Sequence, residues 1–183
     1  VGKILDDIFN EHRKNRIIVS TFASNLDRVR QIIDTASRYG RKVVIEGRSM
    51  INIINIATAL SYINIPKGTL INVEMMSNYP DSKMVIITTG SQGESMAALS
   101  RMAQGTNKKV NIKAGDVVIL SSTPIPGNEK AVNKIIDELY RRHAKVIFQD
   151  THVSGHACAE ELKLIYTLVN PSYAIPIHGE YRH

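Results

Sequence analysis

DVVILSSTPIPGNEKAVNKIIDEL, residues 116–139, reads as one strand, one turn and one helix. DVVILSS (116–122) holds an unbroken apolar run, the pattern of a strand covered on both faces rather than on one. Pro124, Pro126 and Gly127 then interrupt regular structure, and Asn128 stands before Glu129 as a helix cap. Val132, Ile135, Ile136 and Leu139 follow at helical spacing. A doubly covered strand leading into an amphipathic helix is half of a parallel strand–helix–strand unit.

The same unit repeats in both directions along the chain. RIIVST (16–21), KVVIEG (42–47), KMVIITT (83–89), KVIFQD (145–150) and YAIPIH (173–178) are further strand candidates, and TLINVE (69–74) is a weaker one. Between them lie helical patterns at Leu26, Val29, Ile32, Ile33 and Ala36, at Met50 to Ile63, at Met96 to Met102, and at Leu162, Ile165, Leu168 and Val169. Ser24, three before Asp27, and Ser49, after Gly47-Arg48, are placed to cap helices. This alternation predicts an α/β fold, a three-layer arrangement in which a mostly parallel sheet is flanked by helices joined through right-handed crossovers.

At 183 residues, 43% of them apolar, the chain is long enough for one domain with a full core. Lys and Arg number 23 against 17 Asp and Glu, a surplus of six that favours a polyanionic partner such as nucleic acid. The surplus is scattered, and Arg41-Lys42 is its one concentrated patch. The single Cys158 excludes an internal disulfide and suits a reducing compartment. No apolar run is long enough for a membrane span. The first residues, VGKILDDIFNEHRK, place Ile4, Leu5, Ile8 and Phe9 on one helical face, which is not the pattern of a signal or transit peptide. Beginning on Val1 and ending at Tyr181-Arg182-His183, the chain reads as part of a longer one.

Polar residues collect just past the strand ends: TFASN (21–25), GRSM (47–50), TTGSQGE (88–94), SSTPIPGN (121–128), THVSGH (151–156) and HGEYRH (178–183). In an open parallel sheet that is where ligands bind, and Ser, Thr, Asn and Gly at helix N-termini suit phosphate oxygens. Any one such loop is as well explained by ordinary caps and turns; all of them on one rim point to a phosphate-ester or polyanion surface. TTGSQGE is not a P-loop, because no Gly-Lys-Ser/Thr follows, and neither Gly-x-Gly-x-x-Gly nor Gly-x-Ser-x-Gly occurs. THVSGHACAE (151–160) gathers His152, His156 and Cys158 around a Ser-Gly turn. Zinc takes three or four ligands, and no second Cys pair, HExxH or HxHxDH accompanies these. Cys158 is expected at the start of a helix burying Leu162 and Ile165.

TFASN, GRSM, TGSQGESMAALSR (89–101), SSTPIPGN, HVSGH and PIHGEYR together resemble the bacterial ribonuclease J family. More narrowly they resemble its Rossmann-like β-CASP domain, an α/β insertion across a metallo-β-lactamase domain in RNA-processing nucleases. The resemblance covers residues 1–183 as a single β-CASP-like domain, with the motifs in the family's order. It implies a ribonuclease with a centre of two zinc ions, acting 5′ to 3′ on single-stranded RNA with a 5′-monophosphate and also endonucleolytically, in RNA processing and decay in the cytoplasm. By match to the family's motifs, His156 is the catalytic candidate, serving substrate and proton transfer, and His178 of PIHGE is a zinc ligand supplied to the metal site of the other domain. The nucleotide-binding candidates are Ser24, Asn25, Arg48, Ser49, Ser91, Ser122, Ser154 and Gly155.

The sequence departs from the family pattern in lacking HxHxDH, the other metal ligands and the first, acidic β-CASP motif expected upstream. Glu46 and Asp150 end strands without matching that motif. The implied partner is therefore a metallo-β-lactamase domain of the same chain, outside these residues. By itself this part is expected to fold, to hold no stoichiometric zinc and to cleave no RNA. Family members form dimers or tetramers, so the intact protein is expected to be a homo- or hetero-oligomer, without a membrane partner. A phosphosugar-binding regulatory module, suggested by Gly-Ser-x-Gly after a strand, is the alternative, and a structural interaction domain with a basic surface is a third reading. PIHGE near the C-terminus is explained by the nuclease reading alone.

Overall fold

A computed structural model describes residues 2–148, 157 and 159–175. The chain divides into two compact units, Val1–His152 and Val153–His183. In the first, helix α1 (Gly2–Glu11) leads to β1 (Ile17–Ser20), α2 (Leu26–Arg38), β2 (Lys42–Glu46) and α3 (Arg48–Ala59). There follow β3 (Met84–Thr88), α4 (Ala98–Gln104), β4 (Val117–Leu120), α5 (Glu129–Arg141) and β5 (Lys145–Ile147). All strand pairings are parallel, in the order β2-β3-β1-β4-β5.

The unbroken apolar strands follow from burial on both sides. Ile17 and Val19 of β1 face a core formed with Leu5, Phe9, Ile32 and Ile54 of α1, α2 and α3. Ile18, between them in sequence, faces a second core with Leu99 and Met102 of α4 and Ile135 and Leu139 of α5. A strand with this pattern cannot leave one face wet, so the sheet is the middle of three layers. In α1, Leu5, Ile8 and Phe9 are buried as their spacing predicts, while Ile4 stays 39% exposed.

The weak candidate TLINVE contributes a single bridge. Val43 N donates to Thr69 O (2.8 Å) and Ile71 N to Val43 O (2.9 Å), after which the chain turns into a 3₁₀ segment, Val73–Asn78. This bridge makes the handedness consistent. The chain steps outward from β1 through β2 to Leu70 with α2 and α3 on one face, then returns through β3 and β4 to β5 with α4 and α5 on the other. Right-handed crossovers require that division.

Several boundaries differ from the sequence expectation. Helix α3 begins at Arg48, with Gly47 as its cap residue, so Ser49 lies inside the helix rather than capping it. It ends a turn before Ile63, where Ser61 takes φ +56° and Tyr62 N returns to Ala57 O. Asn25, not Ser24, caps α2: its Oδ1 accepts from Arg28 N at 3.1 Å. At the other end of the sheet Arg16 and Asp116, 2% and 3% exposed, form a buried ion pair, with Nε donating to Oδ1 at 2.9 Å. In YAIPIH, residues 173–175 are not in a strand, and the rest lies outside the described residues.

In the second unit the one element among the described residues is α6 (Ala159–Val169). The helix expected to bury Leu162 and Ile165 leaves them 46% and 49% exposed, since the described part of its unit offers no second element to pack against. No helix among the described residues is long and apolar enough to cross a membrane.

Candidate functional site

The topology opens a crevice at the carboxyl ends of the strands. Neighbouring strands send their chains to opposite faces: β2 toward α3, β3 toward α4, β1 toward α2 and β4 toward α5. Loops therefore part at each junction, the condition under which open α/β sheets bind ligands. Between the exits of β2, β3 and β1 lies a cleft of 460 Å³, within the range of small-ligand sites.

Two glycines make its floor. Gly47 (φ +108°) and Gly90 (φ +109°) leave β2 and β3 in a conformation that L side chains rarely adopt. A Cβ on Gly90 would sit 2.9 Å from Ala97 Cβ and 3.1 Å from Leu99 Cβ, and one on Gly47 3.0 Å from Thr89 Oγ1. The backbone is therefore packed bare against the start of α4.

Thr21 and Phe22 line the cleft from β1, Arg48 and Ser49 from the first turn of α3, and Ser91 and Glu94 from the loop after β3. The N-terminus of α3 has no side-chain cap bond, and uncapped N–H groups with the helix dipole favour an anion there. Met96 and Arg101 complete the wall. Among the described residues neither Arg48 nor Arg101 makes an ion pair or side-chain hydrogen bond, and Glu94 is the one carboxylate lining the cleft, its Oε2 accepting from Gln92 N at 3.1 Å.

Of the expected site residues, Arg48, Ser49 and Ser91 thus come together. Ser24 is exposed and does not line the cleft, Asn25 is occupied as a helix cap, and Ser122 is buried as the acceptor of a bond from Gln92 Nε2 at 3.1 Å. His156, Ser154, Gly155 and His178 lie outside the described residues, as does Cys158. Arg41-Lys42, the one concentrated basic patch, is absorbed by the fold. Buried Arg41 donates to His12 O (2.7 Å) and Asn15 O (2.8 Å), and Lys42 Nζ to Gly68 O (2.6 Å).

Sequence reasoning missed four residues. Gln92, 3% exposed, clamps the loops after β3 and β4: Nε2 donates to Ser122 Oγ and Thr123 O, and Oε1 accepts from Ile125 N at 2.7 Å. Arg28, 5% exposed, has Ser121 Oγ as its side-chain partner at 3.0 Å and, among the described residues, no carboxylate; burial pushes its guanidinium below its ordinary pKa. It adds positive potential at the end of the central strand. Thr21 and Arg101 complete the set. Arg101 closes the quoted motif TGSQGESMAALSR, which was the available signal; nothing in the sequence distinguishes Thr21.

Among the described residues no three His, Cys, Asp or Glu side chains gather so as to hold a metal ion. The donors lining the cleft, two arginines with hydroxyl and backbone N–H groups around bare glycine backbone, are of the kind that suits an oxyanion.

Comparison with known proteins places the chain in a family. Residues 14–139 match the ribonuclease J β-CASP domain, and residues 140–183 the Zn-dependent metallo-hydrolase RNA specificity domain. Ribonuclease J2 of Bacillus subtilis is 44% identical over 183 residues, 99% of this chain and 33% of that protein. Ribonuclease J of Thermus thermophilus is 46% identical over 186 residues, all of this chain and 32% of the relative. Ribonuclease J of Helicobacter pylori is 43% identical, again over the whole chain and 27% of its own length. The chain thus spans a third or less of these relatives. With the motifs, the parallel sheet and the domain match in agreement, the chain belongs to the ribonuclease J family and carries its β-CASP domain over residues 14–139.

Proposed function

We propose that this chain is the RNA-binding, active-site-completing part of a zinc-dependent ribonuclease that processes and degrades RNA. The observation that carries the reading is the strand-end cleft, which is lined by Arg48 and Arg101, both without a carboxylate partner among the described residues, and by the uncapped first turn of α3. A guanidinium left without an internal counter-ion is suited to a phosphate, which it grips through two parallel N–H donors. Membership of a nuclease family does not favour the phosphosugar-sensing alternative.

In this reading the cleft holds a single-stranded RNA backbone, with Arg48, Ser49 and Ser91 on its phosphates and Gln92 fixing the loop that carries Ser91. Ser154 and Gly155 add donors for a 5′-monophosphate, and His156 moves a proton at the scissile phosphate. The enzyme cleaves 5′ to 3′ from 5′-monophosphate ends and also internally. Two zinc ions supply its hydrolytic chemistry, held mainly by a metallo-β-lactamase domain of the same protein with His178 as a contributing ligand. The described residues of this chain do not form such a metal site themselves. The protein works in the cytoplasm as a homo- or hetero-oligomer.

The test is single-turnover cleavage by the full-length protein of two RNAs that differ only in a 5′-monophosphate or a 5′-hydroxyl. Arg48→Ala and Ser154→Ala should reduce the preference for the 5′-monophosphate more than they reduce folding stability. An unchanged preference in both variants contradicts the pocket.

A further inference from the structure

We propose that a second cleft, at the amino ends of the strands between Arg13 after α1, the end of α2 and Lys83 before β3, is a docking site for an acidic peptide segment of a protein partner. The cleft has a volume of 580 Å³. Strands β1 and β3 are four and five residues long, so the two ends of the sheet lie about 15 Å apart and this site is separate from the strand-end cleft. The first observation is a buried cation in its wall. Arg41, 3% exposed, donates to the backbone oxygens of His12 and Asn15 at 2.7 and 2.8 Å and stands 5.5 Å from the centre of the Phe9 ring. These partners are carbonyl dipoles and a ring face, and no carboxylate bonds to it among the described residues. Burial lowers the pKa of its guanidinium, yet arginine keeps its proton in proteins, so a fixed positive charge underlies the cleft.

Two further cations share that wall. Lys83 Nζ lies 3.6 Å from where a Cβ on Gly40 would stand, so its ammonium rests against bare backbone next to Arg41. Arg13 bonds to Asn10 Oδ1. Neither makes an ion pair among the described residues, whereas Lys113, at the same end of the sheet, takes Asp81 at 2.9 Å. The one carboxylate in the wall, Asp6, is held by Arg38 at 2.6 Å, and Tyr39 Oη donates to Asp6 O at 3.0 Å, which fastens α2 to α1. An anion entering the cleft therefore meets Arg13, Lys83 and Arg41, three charges carried on separate elements. Carboxylates on successive side chains of an acidic peptide complement charges spaced in this way. Single-stranded RNA asks for more: a cationic groove along its backbone and open aromatic faces for its bases. Tyr39, the one aromatic side chain in the wall, packs its ring against Phe9 at 5.7 Å and has its hydroxyl engaged, so it offers no such platform.

The measurement is anisotropy of a labelled octaglutamate peptide, and separately of a labelled oligouridylate, titrated with the full-length protein across a series of salt concentrations. Arg13→Gln together with Lys83→Gln should weaken octaglutamate binding about fivefold, within the range for two exposed ion pairs lost together, and make it less sensitive to salt. Melting temperature and oligouridylate affinity should stay as in the unaltered protein, because both side chains are exposed and lie at the end of the sheet away from the strand-end cleft. Asp6→Asn should act in the opposite direction. It releases Arg38 to the ligand and removes the one repelling carboxylate, so octaglutamate should bind about twofold more tightly or better, a gain that a merely structural role does not predict. Arg48→Ala, in the other cleft, should leave octaglutamate binding unchanged. The site is overturned if the unaltered protein does not bind octaglutamate, if the double variant binds it as tightly as the unaltered protein, or if Asp6→Asn binds it less tightly. Loss of octaglutamate binding in Arg48→Ala places the peptide at the strand ends and overturns the site as well. Equal loss of both probes in the double variant makes this an RNA surface and overturns the acidic partner.

Discussion

Gln92→Met tests whether the strand-end rim is one built surface or a set of independent loops. The substitution keeps side-chain volume and removes one acceptor and both donor protons. Stranded by it are Ile125 N–H and Thr123 C=O, with Ser122 Oγ able to rotate toward another partner. A buried group left unmatched costs about 1–3 kcal/mol, and two such groups would double that. Thr123 and Ile125 are exposed as residues, so water reaches them and the lower end applies. The expected loss is about 2 kcal/mol, or about 4–8 °C in melting temperature for a chain of this size. Because the clamp joins the loop bearing Ser91 and Glu94 to the loop after β4, affinity for single-stranded RNA should fall several-fold as well. Urea denaturation and RNA titration of the same preparation read both effects. A change within about 0.5 kcal/mol, the ordinary range for surface substitutions, with unaltered RNA affinity refutes the clamp.

Gly90→Ala should cost about 2 kcal/mol or more in urea denaturation, since the new Cβ meets Ala97 Cβ at 2.9 Å at a φ of +109°, where strain and contact add. His12 is held below its ordinary 6.5 first by burial and then by the nearby Lys145, with Glu11 opposing. A depressed histidine is neutral in the folded state and takes a proton more readily when unfolded. Its share of stability is therefore full above the unfolded value near 6.5 and is lost as pH falls through the folded one. His12→Gln should flatten the fall in stability between about pH 7.5 and pH 5.5, and a parallel pH profile would show that His12 is not responsible. In the full-length protein, His178→Ala should lose zinc and at least about tenfold in cleavage, whereas His156→Ala should keep zinc and lose cleavage. Metal analysis with single-turnover kinetics separates the two roles, and full zinc with normal turnover in His178→Ala removes it from the metal site.

The layers were legible because burial on both faces leaves a mark in the chain: RIIVST, KVVIEG and DVVILSS have no polar alternation, and the structure covers them on both sides. The strand order was not legible, because it depends on the step outward to Leu70 and back, and that step shows in sequence only as the weak TLINVE. The rim was legible as a set of loops. Which side chains face the cleft was decided by tertiary partners: Asn25 turned to Arg28 N and Ser122 to Gln92, while Ser91 and Arg48 stayed at the cleft. Arg101 lies well along the chain from Glu94 and reaches the same cavity because α4 begins directly against the bare backbone of Gly90.

The most direct test of RNA binding at the strand ends is hydrogen–deuterium exchange of the chain with and without single-stranded RNA. The opposite end of the sheet offers a rival surface, a 580 Å³ cleft where Arg13 and Lys83 stand beside the Arg38–Asp6 ion pair. The account expects RNA to protect residues 21–25, 47–50 and 88–94 and to leave the segments around Arg13 and Lys83 unchanged. Protection confined to the Arg13 and Lys83 end, with the strand-end loops exchanging as in the free chain, would contradict it.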